Sequence, residues 1–303
     1  ISHSLNGIKS IEVLEGPGSA LFGSGPPGGT INIVHYTPSP TFHYGDSVTA
    51  GSFGTITNQA YVTGPSTIQG LNYRVDATAS RSDGFRSLGS HDYEIRPDFT
   101  WNVNNHVVEF ALDARDVHQT PDSYGLVYFH GTPISTVPID AKYSTPWAFA
   151  DENYLRPTLT DKWWISDFLT INNRFSYTHR TLDVERNGDS TSTAISTSGP
   201  TSGMVVGRQL RAQDDTDNSY DYQFEPGWKF FTGPIGHTLL TGFEAVHQTT
   251  ATQRQTADLP NIANAFAPSP IETPGSVTFL CDAKHSCDDD RLAATYLSTY
   301  ATD

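Results

Sequence analysis

The stretch Ile8–Pro38, IKSIEVLEGPGSALFGSGPPGGTINIVHYTP, decides the interpretation of the whole chain. Short apolar alternations at residues 11–13 and 31–33 predict two strands. Between them, the segment Gly16–Gly29 contains six glycines and three prolines. This density excludes a helix and indicates a backbone folded tightly on itself. A phosphate-binding loop is also excluded, because the stretch has no Gly-Lys-Ser/Thr ending and no amphipathic helix after it.

The remainder of the chain alternates between apolar and polar residues with a period of two. The longest alternations run from Leu71 to Ala79, from Tyr93 to Val103 and from Tyr220 to Phe230. An ordinary strand has ~5–6 residues, whereas a tilted strand that crosses a bilayer needs ~9–11. No window of comparable length shows a helical stripe, so the sequence predicts an all-β fold.

The glycine-rich stretch resembles the end of the plug domain of TonB-dependent outer-membrane receptors, whose pattern is roughly I-E-V-L-R-G-P-x-S-x-L-Y-G-x-G-x-x-G-G-x-I-N-I-V. Two positions depart from it: Glu15 replaces the arginine and Phe22 the tyrosine. The resemblance implies a transmembrane antiparallel β-barrel, preceded by the C-terminal part of a plug. We expect residues 1–38 to be that plug segment and residues 39–303 to form about ten of the roughly 22 barrel strands of the family. The chain is therefore expected to be a fragment.

Connection lengths also fit a barrel. The connections between strands are short after the second, fourth, sixth and eighth strands and long after the fifth, seventh and ninth. This difference is expected for periplasmic turns and extracellular loops. The connections after the first and third strands are of modest length. One predicted turn, Thr160–Trp164, places Trp163 and Trp164 at the periplasmic interface as part of an aromatic girdle. The predicted strands are residues 41–52, 55–64, 71–83, 90–102, 105–117, 150–159, 165–185, 212–231, 236–256 and 289–303.

Charge and motifs exclude several functions. The chain has 33 acidic and 18 basic residues, a formal net charge of −15, with no basic stripe for nucleic acid. Neither an HExxH metal motif nor a G-x-S-x-G nucleophile elbow is present, so we expect no enzyme activity. The charged residues of the predicted lumen face are expected to form ion-pair ladders between strands, with some of them facing the plug instead. They are Arg74, Asp76, Glu94, Arg96, Asp98, Glu109, Asp113, Arg115 and Arg174.

Ligand contacts follow from a second resemblance. The loop His118–Ile134 resembles the loop that presents aromatic residues to the ligand in ferric hydroxamate siderophore receptors; Tyr124 and Gly125 match, and Leu126 replaces a tryptophan. A loop packed on itself is the alternative. The resemblance implies that the ligand contacts Tyr124, Leu126, Tyr128 and Phe129 from above and Phe22, Gly23 and Ser24 from below.

Three further positions carry predictions. Cys281 and Cys287 lie six residues apart in the last long loop, and we expect them to form a disulfide. His285 and Asp282 suggest a metal site as an alternative, but the spacing lacks C-x-x-C or paired histidines, so no metal is predicted. In the family, the position of Glu15 contacts the barrel wall. The partner of the Glu15 carboxylate is therefore expected to be an Arg or Lys of the lumen face, unless water solvates the site.

Taken together, the resemblance implies a receptor in the outer membrane of a Gram-negative bacterium, in contact with membrane lipid. Such a receptor binds a ferric siderophore, which is a transported ligand and not a cofactor. It imports the ligand with energy from the TonB–ExbB–ExbD complex, through an N-terminal segment that this chain lacks. The alternative is a secreted or surface β-protein without transport, such as an adhesin or a sandwich-type binding module.

Overall fold

We describe the chain from a computed structural model that covers residues 4–15, 29–121, 128–129, 132–133, 138–189, 206–282, 285 and 287–302. Strands account for nearly all of its regular structure, with single 3-10 turns at Phe85–Ser87 and Pro274–Ser276. Within these ranges there is no helix that is long and apolar enough to cross a membrane.

Ten strands form one antiparallel sheet in the order β3-β4-β5-β6-β7-β10-β11-β12-β13-β14. The short strands β8 and β9 pair with each other, and so do β1 and β2. The bounds are β1 Ile8–Glu15, β2 Gly29–His35, β3 His43–Ala50, β4 Ile56–Pro65, β5 Leu71–Ser82, β6 Ser90–Val103, β7 His106–Gln119, β8 Tyr128–Phe129, β9 Thr132–Pro133, β10 Phe149–Ser166, β11 Leu169–Asp189, β12 Val206–Thr232, β13 Ile235–Ile262 and β14 Cys287–Thr302.

All ten predicted barrel strands are present, but the predicted turn at Thr160–Trp164 is wrong. Strand β10 continues to Ser166, because Trp163 pairs with both His106 and Ile171 and so keeps a neighbour on each side. Successive side chains of a strand point to opposite faces. Only Trp163 therefore lies on the outer face, where its ring stacks on His106 at 5.2 Å, and Trp164 points inward.

The two faces of the sheet differ in chemistry. The face turned towards β1 and β2, called here the inner face, carries most of the charged side chains. The opposite, outer face exposes apolar side chains along the strands, as expected where lipid covers the sheet. They include Tyr93, Ile95, Phe99, Trp101, Phe110, Leu155, Leu159, Phe175, Tyr222, Trp228 and Phe243.

Three strands are much longer than the others. Strands β11, β12 and β13 have 21, 27 and 28 residues, whereas β5 has 12. We call residues 182–189, 206–215 and 252–262 the raised wall, because they continue the sheet at the end opposite the short turns. At ~3.3 Å per residue, these strands outreach the apolar band of a barrel, which is about 25 Å tall.

A glycine allows one close approach on the inner face. Gly242 of β13 lies between Glu225 of β12 and Tyr300 of β14, and the Tyr300 hydroxyl crosses over it to donate a hydrogen bond to Glu225. A Cβ atom at position 242 would overlap the Tyr300 ring. Glycine at position 242 therefore allows the hydrogen bond between Tyr300 of β14 and Glu225 of β12 to pass over β13.

Gly242→Ala is expected to destabilise the sheet by about 1–3 kcal/mol, because the ring must move and the hydrogen bond to Glu225 is lost. Urea unfolding of the refolded protein measures the change. Gly227→Ala is the matched control, since the atoms nearest to a Cβ there lie at 3.9 and 4.0 Å. Equal stability of the two variants would contradict the role assigned to Gly242.

Candidate functional site

The first residues of the chain are fixed to the inner face by Ser4. Its backbone N–H donates to both carboxylate oxygens of Glu94, at 3.1 and 3.2 Å. Its Oγ lies 2.9 Å from Oγ1 of Thr78 and accepts a hydrogen bond from Gln59 at 3.1 Å. One small side chain and its backbone thus contact strands β4, β5 and β6.

Asn6 and Gly7 extend this attachment. The Asn6 amide donates to the backbone carbonyls of Ala60 at 3.1 Å and of Ala77 at 2.9 Å. Gly7 has φ 73°, and a Cβ there would lie 2.6 Å from the carboxyl carbon of Asp76. Both the backbone conformation and the close approach therefore favour glycine at this position.

Arg74 holds the chain where it leaves β2. Its guanidinium lies over the rings of Tyr36 and Tyr61, at 5.1 and 4.7 Å from the ring centroids. The same group donates to both oxygens of Asp76, at 2.6 and 2.7 Å, and both side chains are buried. A cation held between two rings and a carboxylate fixes Tyr36 against the wall.

The inner face carries a ladder of ion pairs across neighbouring strands, as the sequence predicts. Arg96 of β6 pairs with Asp113 of β7, whose other oxygen lies 3.4 Å from Nε of Arg156. A second series joins Arg115 to Glu94 at 3.2 Å and to Glu152 at 3.7 Å. Further pairs extend it to β12: Glu152–Arg180 at 2.9 Å and Arg180–Asp217 at 3.0 Å.

A cavity of about 410 Å³ separates the β1–β2 ribbon from this ladder. His35 of β2 faces the cavity together with Arg96, Asp113 and Arg156. Its Nδ1 atom is buried and has no hydrogen-bond partner among the described residues. Burial, followed by the charge of Arg96, lowers the pKa of His35 below its usual 6.5. His35 is therefore a neutral imidazole between cationic groups at neutral pH.

The lowered pKa of His35 predicts a pH dependence of ribbon attachment. Because the attached state disfavours the proton, attachment is fully stable above pH 6.5 and weakens as the pH falls below that value towards the lowered pKa. We expect protease cleavage within residues 8–35 of the full-length protein to increase severalfold between pH 7.5 and 5.5.

His35→Gln should abolish this pH response. His43→Gln, a change at an exposed histidine that contacts Thr41 at 2.7 Å, should leave it unchanged. A pH response that persists in His35→Gln would contradict the assignment.

The outer face of the raised wall is covered by two loops, residues 138–148 and 263–282, which we call the cap. Arg208 of β12 donates to Glu272 at 2.6 and 2.7 Å, to the carbonyl of Tyr143 at 3.0 Å and to that of Pro260 at 2.9 Å. The side chains of Arg208 and Glu272 are 1% and 0% exposed. A fully buried, multiply bonded ion pair therefore joins both loops to the wall.

Contacts of Thr145 and a small apolar cluster complete the cap. The backbone N–H of Thr145 donates to Asn187 Oδ1 at 2.7 Å, and its hydroxyl donates to Glu272 at 3.0 Å. Beside them, Leu210 and Ala257 form a small apolar cluster against the side chain of Trp147. Burial alone would raise the pKa of Glu272, but the hydrogen bonds and charge of Arg208 outweigh it and lower that pKa below 4.5.

Glu272→Gln should loosen the cap, since it leaves Arg208 buried without its counter-charge at a cost of about 3–5 kcal/mol. Backbone hydrogen exchange of residues 141–148 measures the loss of protection. Arg291→Gln breaks an exposed pair with Asp289 at 4.0 Å and is the matched control without effect. Unchanged exchange in Glu272→Gln would contradict the proposed anchoring.

At the end of the cap, Cys281 and Cys287 form a disulfide bond. The enclosed His285 is buried, with Nδ1 2.8 Å from Asp282 and Nε2 3.3 Å from Asp258. Both ring nitrogens are thus directed at carboxylates of the same loop and wall. The described residues contain no group of three or more His, Cys, Asp and Glu side chains arranged to hold a metal ion.

Most predicted ligand residues fall outside the described part of the chain, namely Phe22, Gly23, Ser24, Tyr124 and Leu126. Tyr128 and Phe129 form strand β8, of which only the backbone is described. Glu15 ends β1 opposite Gly29 and is exposed, next to the undescribed residues 16–28. The contacts predicted for all these residues stay predictions.

On the wall, the attachment uses Arg74 and Glu94, which belong to the predicted lumen face, whereas its partners Ser4 and Asn6 carry no sequence signal. Ser4 and Asn6 lie before the glycine-rich stretch, where neither spacing nor composition distinguishes them from ordinary loop residues. The cap residues Arg208 and Glu272 are 64 positions apart, so their pairing carries no local signal. By contrast, period-two alternation was sufficient to place the ladder residues on one face.

Comparison with known proteins yields relatives by sequence and by structure, whereas no protein-family model matches the chain. Over 251 residues the chain is 27% identical to the metal-pseudopaline receptor CntO of Pseudomonas aeruginosa strain UCBPP-PA14. The aligned region covers 78% of this chain and 33% of that receptor. Over 99 residues it is 30% identical to CntO of strain PAO1, covering 32% of this chain and 14% of the relative.

Solved structures match nearly the whole chain. The ferric-catecholate import receptor Fiu of Escherichia coli K12, in its open form, superposes with a TM-score of 0.86 at 18% identity, covering 99% of this chain and 47% of Fiu. The siderophore receptor PiuA of Acinetobacter baumannii gives a TM-score of 0.77 at 18% identity, covering 98% and 45%. The chain therefore spans less than half of these receptors and a third of CntO.

These matches confirm the predicted fold. The chain has the fold of the TonB-dependent receptors of the Gram-negative outer membrane, with ten strands of the barrel wall. The relatives are receptors and not enzymes, as predicted for this chain. The hydroxamate character of the ligand stays a prediction.

Proposed function

From the premise that the chain has the fold of a TonB-dependent receptor, we propose that it is part of an outer-membrane importer of metal–siderophore chelates, energised by the TonB–ExbB–ExbD complex. In this proposal residues 1–38 are the final segment of the plug, and residues 39–303 are the first part of the barrel. The chelate is the transported substrate, and its binding requires no resident cofactor.

The observation that carries the proposal is the attachment of the β1–β2 ribbon to the inner face. The ribbon pairs with no strand of the ten-stranded sheet among the described residues, and it is held through polar contacts of Ser4, Asn6 and Tyr36. Polar contacts next to a cavity can be exchanged for water at low cost, unlike an apolar core. Such a segment can be displaced when it is pulled, which import requires.

The relatives support the same activity. The matched proteins are named as receptors for metal-pseudopaline and for ferric catecholates, so metal chelates are the common class of ligand. The alternative of a soluble sandwich or adhesin is disfavoured by the outer face, which exposes aromatic and aliphatic side chains along successive strands.

Uptake of ⁵⁵Fe by iron-limited cells tests the proposal. A strain with the full-length gene should accumulate at least one ferric chelate faster than the deletion strain, and loss of TonB should abolish the difference. The assay should include hydroxamate, catecholate and carboxylate chelates. Equal uptake by the two strains for every class would contradict the proposal.

A further inference from the structure

The inner face of the raised wall carries three arginines around one cavity of about 760 Å³. We call Arg186, Arg211 and Arg254 the arginine triad. Among the described residues none of the three guanidinium groups forms an ion pair or a hydrogen bond. From this arrangement we infer a binding site for the carboxylate groups of an anionic metal chelate; the inference rests on the proposed function.

The register of the strands brings the triad together. Arg186 of β11 lies directly opposite Arg211 of β12. Arg211 lies opposite Thr256 of β13, so Arg254 is its diagonal neighbour on the same face, at roughly 7–8 Å between backbones. Three adjacent strands thus direct positive charge into one space.

Like charges directly opposite each other destabilise a pair of strands. On the membrane-proximal part of the same face, the arginines of the ladder are paired with carboxylates, for example Arg180 with Glu152 and Asp217. Within the triad, Arg254 has an acid opposite it, Asp288 of β14, which also lines the cavity, whereas Arg186 and Arg211 lie opposite each other. Leaving Arg186 opposite Arg211 therefore costs stability that a bound anion would restore.

A glycine provides the room for Arg211. Gly188 is the diagonal neighbour of Arg211 on β11, and a Cβ there would overlap the Arg211 side chain. Any larger residue would displace the guanidinium from its place beside the cavity. The local sequence thus accommodates a positioned arginine instead of merely tolerating an exposed one.

The remaining lining matches a small polar ligand. Three glutamines line the cavity, and the amide of one of them, Gln213, already donates to Asp215. Two acids also line it: Asp282 of the disulfide-closed loop, which is engaged by His285, and Asp288 of β14. A volume of about 760 Å³ fits the ~300–1,000 Å³ typical of small-molecule sites. The glutamines are Gln209, Gln213 and Gln255.

Position and chemistry indicate the class of ligand. Arg186 lies about 55 Å along β11 from the turn-proximal Leu169, at ~3.3 Å per residue, which places it beyond the apolar band of about 25 Å. The site therefore opens above the lumen, on the route of an entering chelate, and away from lipid. The planar guanidinium fork matches a carboxylate in a bidentate manner, whereas a neutral or cationic chelate gains nothing from three arginines.

Equilibrium binding to the purified full-length receptor tests the inference, with ferric citrate as the carboxylate chelate and ferrioxamine B as the cationic hydroxamate chelate. We expect ferric citrate to bind more tightly and its affinity to fall with added NaCl. Arg186→Gln and Arg211→Gln should each weaken ferric citrate binding about tenfold or more. Gly188→Val should weaken it as well, because it displaces Arg211.

Arg81→Gln is the matched control, since Arg81 is an exposed arginine on the outer face of β5, opposite His91. Heat-modifiable gel migration checks that every variant is folded. Three results would overturn the inference. The wild-type receptor does not bind ferric citrate, it binds ferrioxamine B more tightly than ferric citrate, or its affinity for ferric citrate equals that of the Arg186→Gln and Arg211→Gln variants.

The two proposals fail separately. A receptor that imports ferrioxamine B but does not bind ferric citrate keeps the proposed function and loses the carboxylate site. A receptor that imports no metal chelate loses both.

Discussion

The structure depends on one constraint, which is that burying a charge beside the β1–β2 ribbon requires an opposite charge next to it. Alternation places acids and bases on a face that the β1–β2 ribbon partly covers, where an unpaired charge is costly. The result is the ladder that runs from Arg96 and Asp113 to Arg180 and Asp217. The ribbon uses the same face: Ser4 binds Glu94, a carboxylate that also pairs with Arg115.

This constraint explains the different chemistry of the two ends of the sheet. On the membrane-proximal part of the inner face, the ladder pairs arginines with carboxylates. On the raised wall, the outer face is closed by the buried pair of Arg208 and Glu272, whereas the inner face leaves Arg186 opposite Arg211. The cap therefore stabilises the raised wall on its outer face, and the exposed inner face remains accessible to a ligand.

Sequence reasoning recovered the strands and the two faces because both follow from local alternation. It predicted a turn at Trp163 and Trp164 that is wrong, because Trp163 lies within β10 and pairs with His106 on one side and Ile171 on the other. Its failures concern residues that meet only through register. Nothing local indicates that Arg186 faces Arg211, or that Tyr300 reaches over Gly242, because these contacts depend on how long loops set the strands side by side.

The central claim is that the first residues of the chain are held against the inner face of the barrel wall. Pairs of introduced cysteines in the full-length protein, oxidised in intact outer membranes, test this claim most directly. Ser4 and Thr78 are 2.9 Å apart through their hydroxyls, so Ser4→Cys with Thr78→Cys should form a disulfide. Ser4→Cys with Ala77→Cys should not, because the Ala77 side chain points to the outer face. Crosslinking of the second pair, or failure of the first, would contradict the account.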